Sequence, residues 1–315
     1  MALTRLLSPS AIAAVDDLEL AARLIVEGAH TGQHRSPFHG FAAEFSQHRP
    51  YRPGDDLKHL DWKILGRTDR LYSRRFHETT NLSAMLVVDT SGSMNFPASS
   101  ASPAGTPASL SKFRYAVMMA AALAHVLIAQ GDRVGIITTQ HDRFSYLPPR
   151  GGRPHLHALA TLLARLEPAG AWPLDRVMAR GGELLRRPGL LIVISDLYDA
   201  ADATYRALRG LPGRHDVALL QVLSREEITF PYAGDIEFED LESDGRRVLD
   251  ADDAAGRYRE TMATFVAGQR AQAHRDGHDY ALLPTDIAPE RALRAYLLRR
   301  ARASARPGGA RTGRR

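Results

Sequence analysis

The sequence predicts an α/β fold, a doubly wound and mostly parallel sheet covered by helices. Three observations predict it. Residues 85–88 and 190–194 are apolar without interruption, as strands buried on both faces are. Each run leads into an aspartate, Asp89 directly and Asp196 after one serine. Around them, strand-like and helix-like stretches alternate, the order that βαβ units impose.

In chain order, residues 10–27 place Ile12, Val15, Leu18, Leu20, Ala21, Leu24 and Ile25 at helical spacing. Ser8 or Ser10 is the expected cap and Gly28 the expected end. From 30 to 56 the periodicity fails, and Gly, Pro, His and Arg dominate, as in a long loop. His30, His34, His39, His48 and His59 match no metal-binding spacing and read as surface or turn residues. Pro53, Gly54, Asp55 and Asp56 form a turn signal. Asp55 or Asp56 is expected to cap a short helix over 57–65 with Trp62 facing inward. The carboxylates Asp55, Asp56 and Asp61 could bind a cation, but the arginines that follow (Arg67, Arg70, Arg74, Arg75) favour ion pairing. Residues 71–76 alternate, so they predict a strand that pairs with the first core strand or covers an edge.

Further on, 95–110 is rich in Ala, Ser and Pro and reads as a flexible insertion. Helices are expected over 111–130, 155–166, 174–187, 202–208, 254–275 and 289–302. Strands are expected over 133–139, 144–147, 190–195, 217–223 and 280–283. The alternation in 235–249 around Ser243, Asp244 and Gly245 predicts a hairpin. Three regions result: 1–80, a helix and an irregular segment packing on the core; 81–303, the α/β domain; and 304–315, a disordered basic tail.

Composition bounds the function. The chain has 315 residues, 44% of them hydrophobic and 24% charged, ordinary values for a globular protein. It has no cysteine, which excludes disulfides and thiolate sites and fits a reducing compartment. The net charge of +5 and a pI near 9.6 permit contact with nucleic acid, although arginine-rich solvated faces are the preferred explanation. No stretch reads as a signal peptide, and the apolar run 115–129 is too short to span a bilayer. A soluble cytoplasmic protein is expected.

The chemistry concentrates after the first apolar run. Asp89 offers a carboxylate, Ser91 and Ser93 offer hydroxyls on alternate positions, and Gly92 allows the tight turn that aims both at one point. Hard oxygen donors of this kind suit Mg²⁺ or Mn²⁺. They could equally bond one another at the sheet edge. No nucleophile–base pair, G-x-S-x-G elbow or phosphate-binding Walker loop stands out.

The run Asp89-Thr-Ser91-Gly-Ser93-Met94 resembles the DxSxS core of the metal-ion-dependent adhesion site of von Willebrand A (vWA) domains. Upstream, Tyr51, Pro53, Gly54, Asp55, Asp56, Asp61, Trp62, Arg67, Leu71, Phe76 and Glu78 resemble the signature of domain-of-unknown-function family 58 (DUF58), a bacterial branch of vWA-like proteins. His34, Arg35, Ser36, Gly40, Glu44 and Phe45 match its lead-in, while Lys58 and His59 depart mildly from it. The resemblance implies a vWA sheet of strand order 3-2-1-4-5-6 and adds Asp196 as a fourth metal residue. It also implies a threonine from a later loop, but Trp172 stands at that position and cannot ligate, so water would take its place. By the same resemblance the protein is a non-catalytic interaction module. A partner's carboxylate completes the metal, and the protein acts beside a MoxR-type AAA+ ATPase on a client protein. Two other readings stay open. One is a Mg²⁺-dependent phosphohydrolase with Asp89 as acceptor, although Ser91 stands where such enzymes carry a second aspartate. The other is nucleic-acid binding through the basic surface and tail.

Overall fold

A computed structural model describes residues 17–30, 44–50, 66, 71–77, 82–97, 110–140, 143–172, 176–178, 180, 184, 188–198, 201–211, 215–239 and 245–304. The first helix, α1 (Leu18–His30), is capped by Asp17, whose carboxylate accepts the N–H groups of Glu19 and Leu20 at 2.9 and 3.2 Å. The expected start near Ser10 lies outside the described residues. The helix also runs past Gly28, because Ala21, Ala22, Ile25 and Val26 are buried against neighbouring helices and carry the last turn with them. β1 (Glu44–Pro50) pairs antiparallel with β2 (Tyr72–His77), placing Phe45 opposite Phe76 and His48 opposite Arg74. This corrects two expectations: β1 lies in a stretch read as loop, and β2 pairs with β1 instead of with the core sheet. The polar run Glu-Phe-Ser-Gln-His-Arg-Pro offers little β-propensity, so its strand is fixed by its partner.

The core follows in order: β3 (Ser83–Val88), α2 (Lys112–Ala129), β4 (Arg133–Gln140), β5 (Arg143–Arg150), α3 (Arg153–Ala164), β6 (Leu190–Ser195), α4 (Ala201–Arg209), β7 (Asp216–Leu223), α5 (Arg225–Thr229), β8 (Asp235–Glu239), β9 (Arg246–Asp250), α6 (Ala251–Arg275), β10 (Asp279–Pro284) and α7 (Pro289–Ser304). Six strands form one sheet in the order β10-β7-β6-β3-β4-β5. Numbered within the sheet and read from the other edge, this is 3-2-1-4-5-6, as expected. All pairs are parallel except β4–β5. β5 is longer than the sequence suggests. Pro148 and Pro149 obscure it, but an edge strand tolerates prolines that a central strand cannot. β8 and β9 form the expected hairpin as a separate two-stranded sheet. Residues 98–109, within the expected insertion, and 305–315, in the tail, lie outside the described residues, as does most of the expected helix over 174–187.

Alternation assigns each strand residue to a layer. Ala84, Leu86 and Val88 face a core shared with α1, α2, α3 and α7. Met85 and Val87 face a second core with Val177, Met178, Tyr205 of α4 and Ala273 of α6. The sheet is thus covered on both faces. α2 is long and apolar enough, by length and composition, to cross a membrane, and 72% of that stretch is buried inside this fold. A helix apolar all round is what a central position between sheet and outer helices demands. Gly189 marks a close backbone approach, since a Cβ there would stand 2.3 Å from the Ser83 carbonyl oxygen.

Candidate functional site

β3 and β6 lie side by side, with Val88 opposite Ile194. The chain turns from β3 toward β4 on one side and from β6 toward β7 on the other. Their carboxyl ends therefore flank the topological switch point, where open α/β sheets hold ligands. Asp89 and Asp196 emerge there together, each 1% exposed.

One connected chain of hydrogen bonds joins them. Asp89 accepts the Ser91 N–H on Oδ1 at 2.8 Å and the Ser195 hydroxyl on Oδ2 at 2.5 Å. The Ser91 and Ser93 hydroxyl oxygens are 3.0 Å apart, and the Ser93 hydroxyl donates to Asp196 Oδ2 at 2.7 Å. The serines sit at the entry of a short 3₁₀ turn, Gly92–Asn95. That turn is clamped from behind, because Gly92 N–H donates to Gly170 O at 2.7 Å and Ala169 N–H to Thr90 O at 2.9 Å. The Thr90 hydroxyl donates in turn to the Thr139 carbonyl. On the other strand end, Leu197 adopts φ = 59°, a left-handed conformation that a branched residue holds only when its surroundings enforce it. The enforcing bonds are Leu197 N–H to Ser195 Oγ at 2.9 Å, Tyr198 N–H to Asp196 Oδ1 at 3.2 Å, and Gln221 Nε2–H to Asp196 O at 2.8 Å.

The structure brings together the four residues singled out in the sequence, Asp89, Ser91, Ser93 and Asp196. It adds two that sequence reading missed. Lys112, fully buried, donates from Nζ to Asp196 Oδ2 at 2.7 Å and to Glu227 Oε1 at 2.6 Å, and the ammonium lies 4.6 Å from the centre of the Tyr198 ring. A signal for each existed. Lys112 directly follows the helix cap Ser111, an unfavourable place for a cation beside the positive end of the helix dipole. Ser224 and Glu227 have the spacing of a capping box, and both of its bonds form.

Electrostatics follow from burial. Burial, then the neighbouring Asp196, pushes the Asp89 carboxyl up to about 8, against the opposing pull of its bonds to Ser195 and Ser91. For Lys112 burial disfavours the charged form, but Asp196 and Glu227 outweigh it and hold the ammonium above the ordinary lysine range. Trp172 is 3% exposed and packs in the second core, its Nε1 without a hydrogen-bond partner. The loop that precedes it therefore meets the serine turn through backbone atoms of Ala169 and Gly170.

The donor set fits a hard divalent cation. It consists of two carboxylates and two hydroxyls, all oxygen. With Glu227 and Lys112, the bonded set also holds three acidic groups against one base, which when all are ionised is short of neutrality by one divalent charge. Tyr51, Pro53, Gly54, Asp55, Asp56, Asp61, Trp62, Arg67 and Glu78 lie outside the described residues.

A family model described as a protein of unknown function, DUF58, matches residues 47–272. The chain belongs to this family. Uncharacterized proteins of Mycobacterium bovis and Mycobacterium tuberculosis are 31% identical to this DUF58 chain over 271 residues, 85% of its length and 81% of theirs. Among solved structures, the conserved hypothetical protein BatB from Bacteroides thetaiotaomicron is similar over 70% of this chain and 99% of its own, at 13% identity and a TM-score of 0.39. A von Willebrand factor type A structure from Catenulispora acidiphila is similar over 69% of this chain and 42% of its own, at 12% identity and a TM-score of 0.37. The fold of this DUF58 chain is α/β, a six-stranded and mostly parallel sheet with helices on both faces.

Proposed function

We propose that this DUF58 protein is a non-catalytic interaction module whose strand-end site binds Mg²⁺ or Mn²⁺ and through it a carboxylate of a partner protein. The observation that supports this reading most is the convergence of Asp89, Ser91, Ser93 and Asp196 at the switch point of the sheet. Asp89 and the two serines would supply direct oxygen donors, and Asp196 would orient Ser93 and carry the second negative charge. A bound divalent ion supplies an electrophilic position that an incoming carboxylate can fill. Ser195, Thr90 and Gln221 hold the donors in place through the bonds described above. On the family resemblance, the partner is a MoxR-type AAA+ ATPase with a client complex that it assembles or activates. The absence of cysteine supports work in a reducing compartment, the cytoplasm.

A phosphohydrolase reading is less well supported. Ser91 stands where aspartate-nucleophile phosphatases carry a second aspartate.

The test is affinity capture from a native lysate in Mg²⁺, in EDTA, and in Mg²⁺ with Asp89→Ala as bait. Capture of an AAA+ ATPase or a defined client in the first condition alone is the expected result. The same partner in all three conditions would make the strand end a structural feature. Phosphomonoester turnover that Asp89→Ala abolishes would favour the enzyme.

A further inference from the structure

Lys112 and Glu227 belong to no part of the motif that marks the strand-end site, yet they are bonded into it. Lys112 Nζ shares Asp196 Oδ2 with the Ser93 hydroxyl, both at 2.7 Å. Its other carboxylate, Glu227 Oε1 at 2.6 Å, comes from α5, beyond β7 in the chain. Both side chains are largely out of water: Lys112 is 0% exposed and Glu227 10%. An ammonium on Asp196 does part of what a metal would do there, since it neutralises the carboxylate and occupies one of its lone pairs. Glu227 opposes it, because it draws the ammonium toward α5 and returns one negative charge to the set. Glu226, buried beside Glu227, leaves its Oε2 without a hydrogen-bond partner.

We propose that Lys112 and Glu227 form a built-in charge pair that sets how tightly the strand-end site takes a divalent cation, with Lys112 as internal competitor and Glu227 as its counterweight. This rests on the metal reading above. Removing the ammonium leaves the site one charge more negative, and removing Glu227 leaves it one charge less negative. Inside a water-poor site, one unit of charge a few ångströms from a divalent ion changes affinity by about ten-fold or more.

The experiment titrates the full chain with Mn²⁺, with free Mn²⁺ read by electron paramagnetic resonance and Mg²⁺ affinity by competition. Far-UV circular dichroism confirms that each variant is folded. Lys112→Met should tighten Mn²⁺ binding about ten-fold, and Glu227→Gln should weaken it about ten-fold. Lys112→Met/Glu227→Gln, which restores the net charge and leaves no buried ion of this pair unmatched, should return to within about two-fold of the parent. A purely structural role predicts no such restoration, because the double variant lacks both side chains. If Lys112→Met is unfolded, the double variant and Glu227→Gln still decide. Parent-like affinity in Glu227→Gln, weaker binding in Lys112→Met, or a double variant no closer to the parent than the singles would overturn the charge pair. In those cases the metal reading stands as long as Asp89→Ala abolishes binding. Parent protein that binds no Mn²⁺ sensitive to Asp89→Ala would overturn the metal reading and the charge pair together.

Discussion

Within β6, Leu190 to Ile194 are held by apolar contact on both faces of the sheet, each at most 3% exposed. Two residues beyond Ile194, Asp196 is as deeply buried, yet it is held by Ser93, Lys112, Gln221 and a backbone N–H of its own turn. β3 repeats the contrast between Val88 and Asp89. The body of the sheet is therefore governed by volume, and its carboxyl edge by charge and bond count. Apolar burial is tolerant, since any side chain of about the right shape restores most of the energy. A buried ion tolerates nothing of the sort, because removing one partner leaves the other charged without compensation.

The largest expected effect tests that difference directly. Lys112→Ala should lower the unfolding free energy by about 3–5 kcal/mol, because Asp196 and Glu227 lose their shared cation. Lys112→Met/Glu227→Gln should lose less, since Asp196 alone is then left without its cation. Urea denaturation of both variants measures the gap. Equal losses would mean that the edge follows the packing rules of the core. In the sheet body, Leu86→Ala should cost about 3 kcal/mol as a cavity, and a neighbouring large-for-small change should recover part of it.

How legible this was depended on the same distinction. Apolar runs announce buried strands, so β3, β6 and β7 were readable from the chain, while the order of the sheet came through the family resemblance. Asp89, Ser91 and Ser93 were readable because they crowd into five positions. Asp196 entered through the family resemblance, as the polar end of a second apolar run. Lys112 and Glu227 were not found, because residues 115 positions apart are brought together by the topology. β1 was missed because its residues carry little strand preference of their own and its partner begins only at Tyr72.

A smaller effect separates the two regions by pH. The Asp89 carboxyl is pushed up to about 8 in the folded protein, against 3.8 for an unperturbed aspartate. Between those values the folded state keeps a proton that the unfolded state has released. The corresponding stability is complete below about pH 4 and is lost as pH rises through about 8. In EDTA the protein should therefore be less stable at pH 8 than at pH 5.5 by about 1–3 kcal/mol, and Asp89→Asn should flatten that slope. Saturating Mg²⁺ should flatten it too, by favouring the carboxylate. The Leu86→Ala loss should be the same at both pH values, since no ionisable group enters that cavity. Chemical denaturation at the two pH values reads all four results. A slope that persists in Asp89→Asn would assign it to another group.

The smallest expected effect probes where the two regimes join. Ser224 Oγ accepts the Glu227 N–H at 3.1 Å, and Glu227 Oε2 accepts the Ser224 N–H at 2.7 Å, while Oε1 of the same carboxylate holds Lys112. One glutamate thus caps α5 and anchors the cation of the strand-end site. Ser224→Ala should cost about 1 kcal/mol, the ordinary value of a lost cap. Asp250→Ala, which removes the cap of α6, should cost a similar amount. The two should differ when combined with Lys112→Met. The Asp250 cap holds neither Lys112 nor Glu227, so its loss should add to that of Lys112→Met within about 0.5 kcal/mol. For Ser224→Ala the losses should fail to add by more than that, because a Glu227 released from Lys112 can move and its cap bonds are already weakened. Additivity in both cycles would show that the glutamate performs its two roles independently, and that α5 acts as a rigid support with no energetic link to the site.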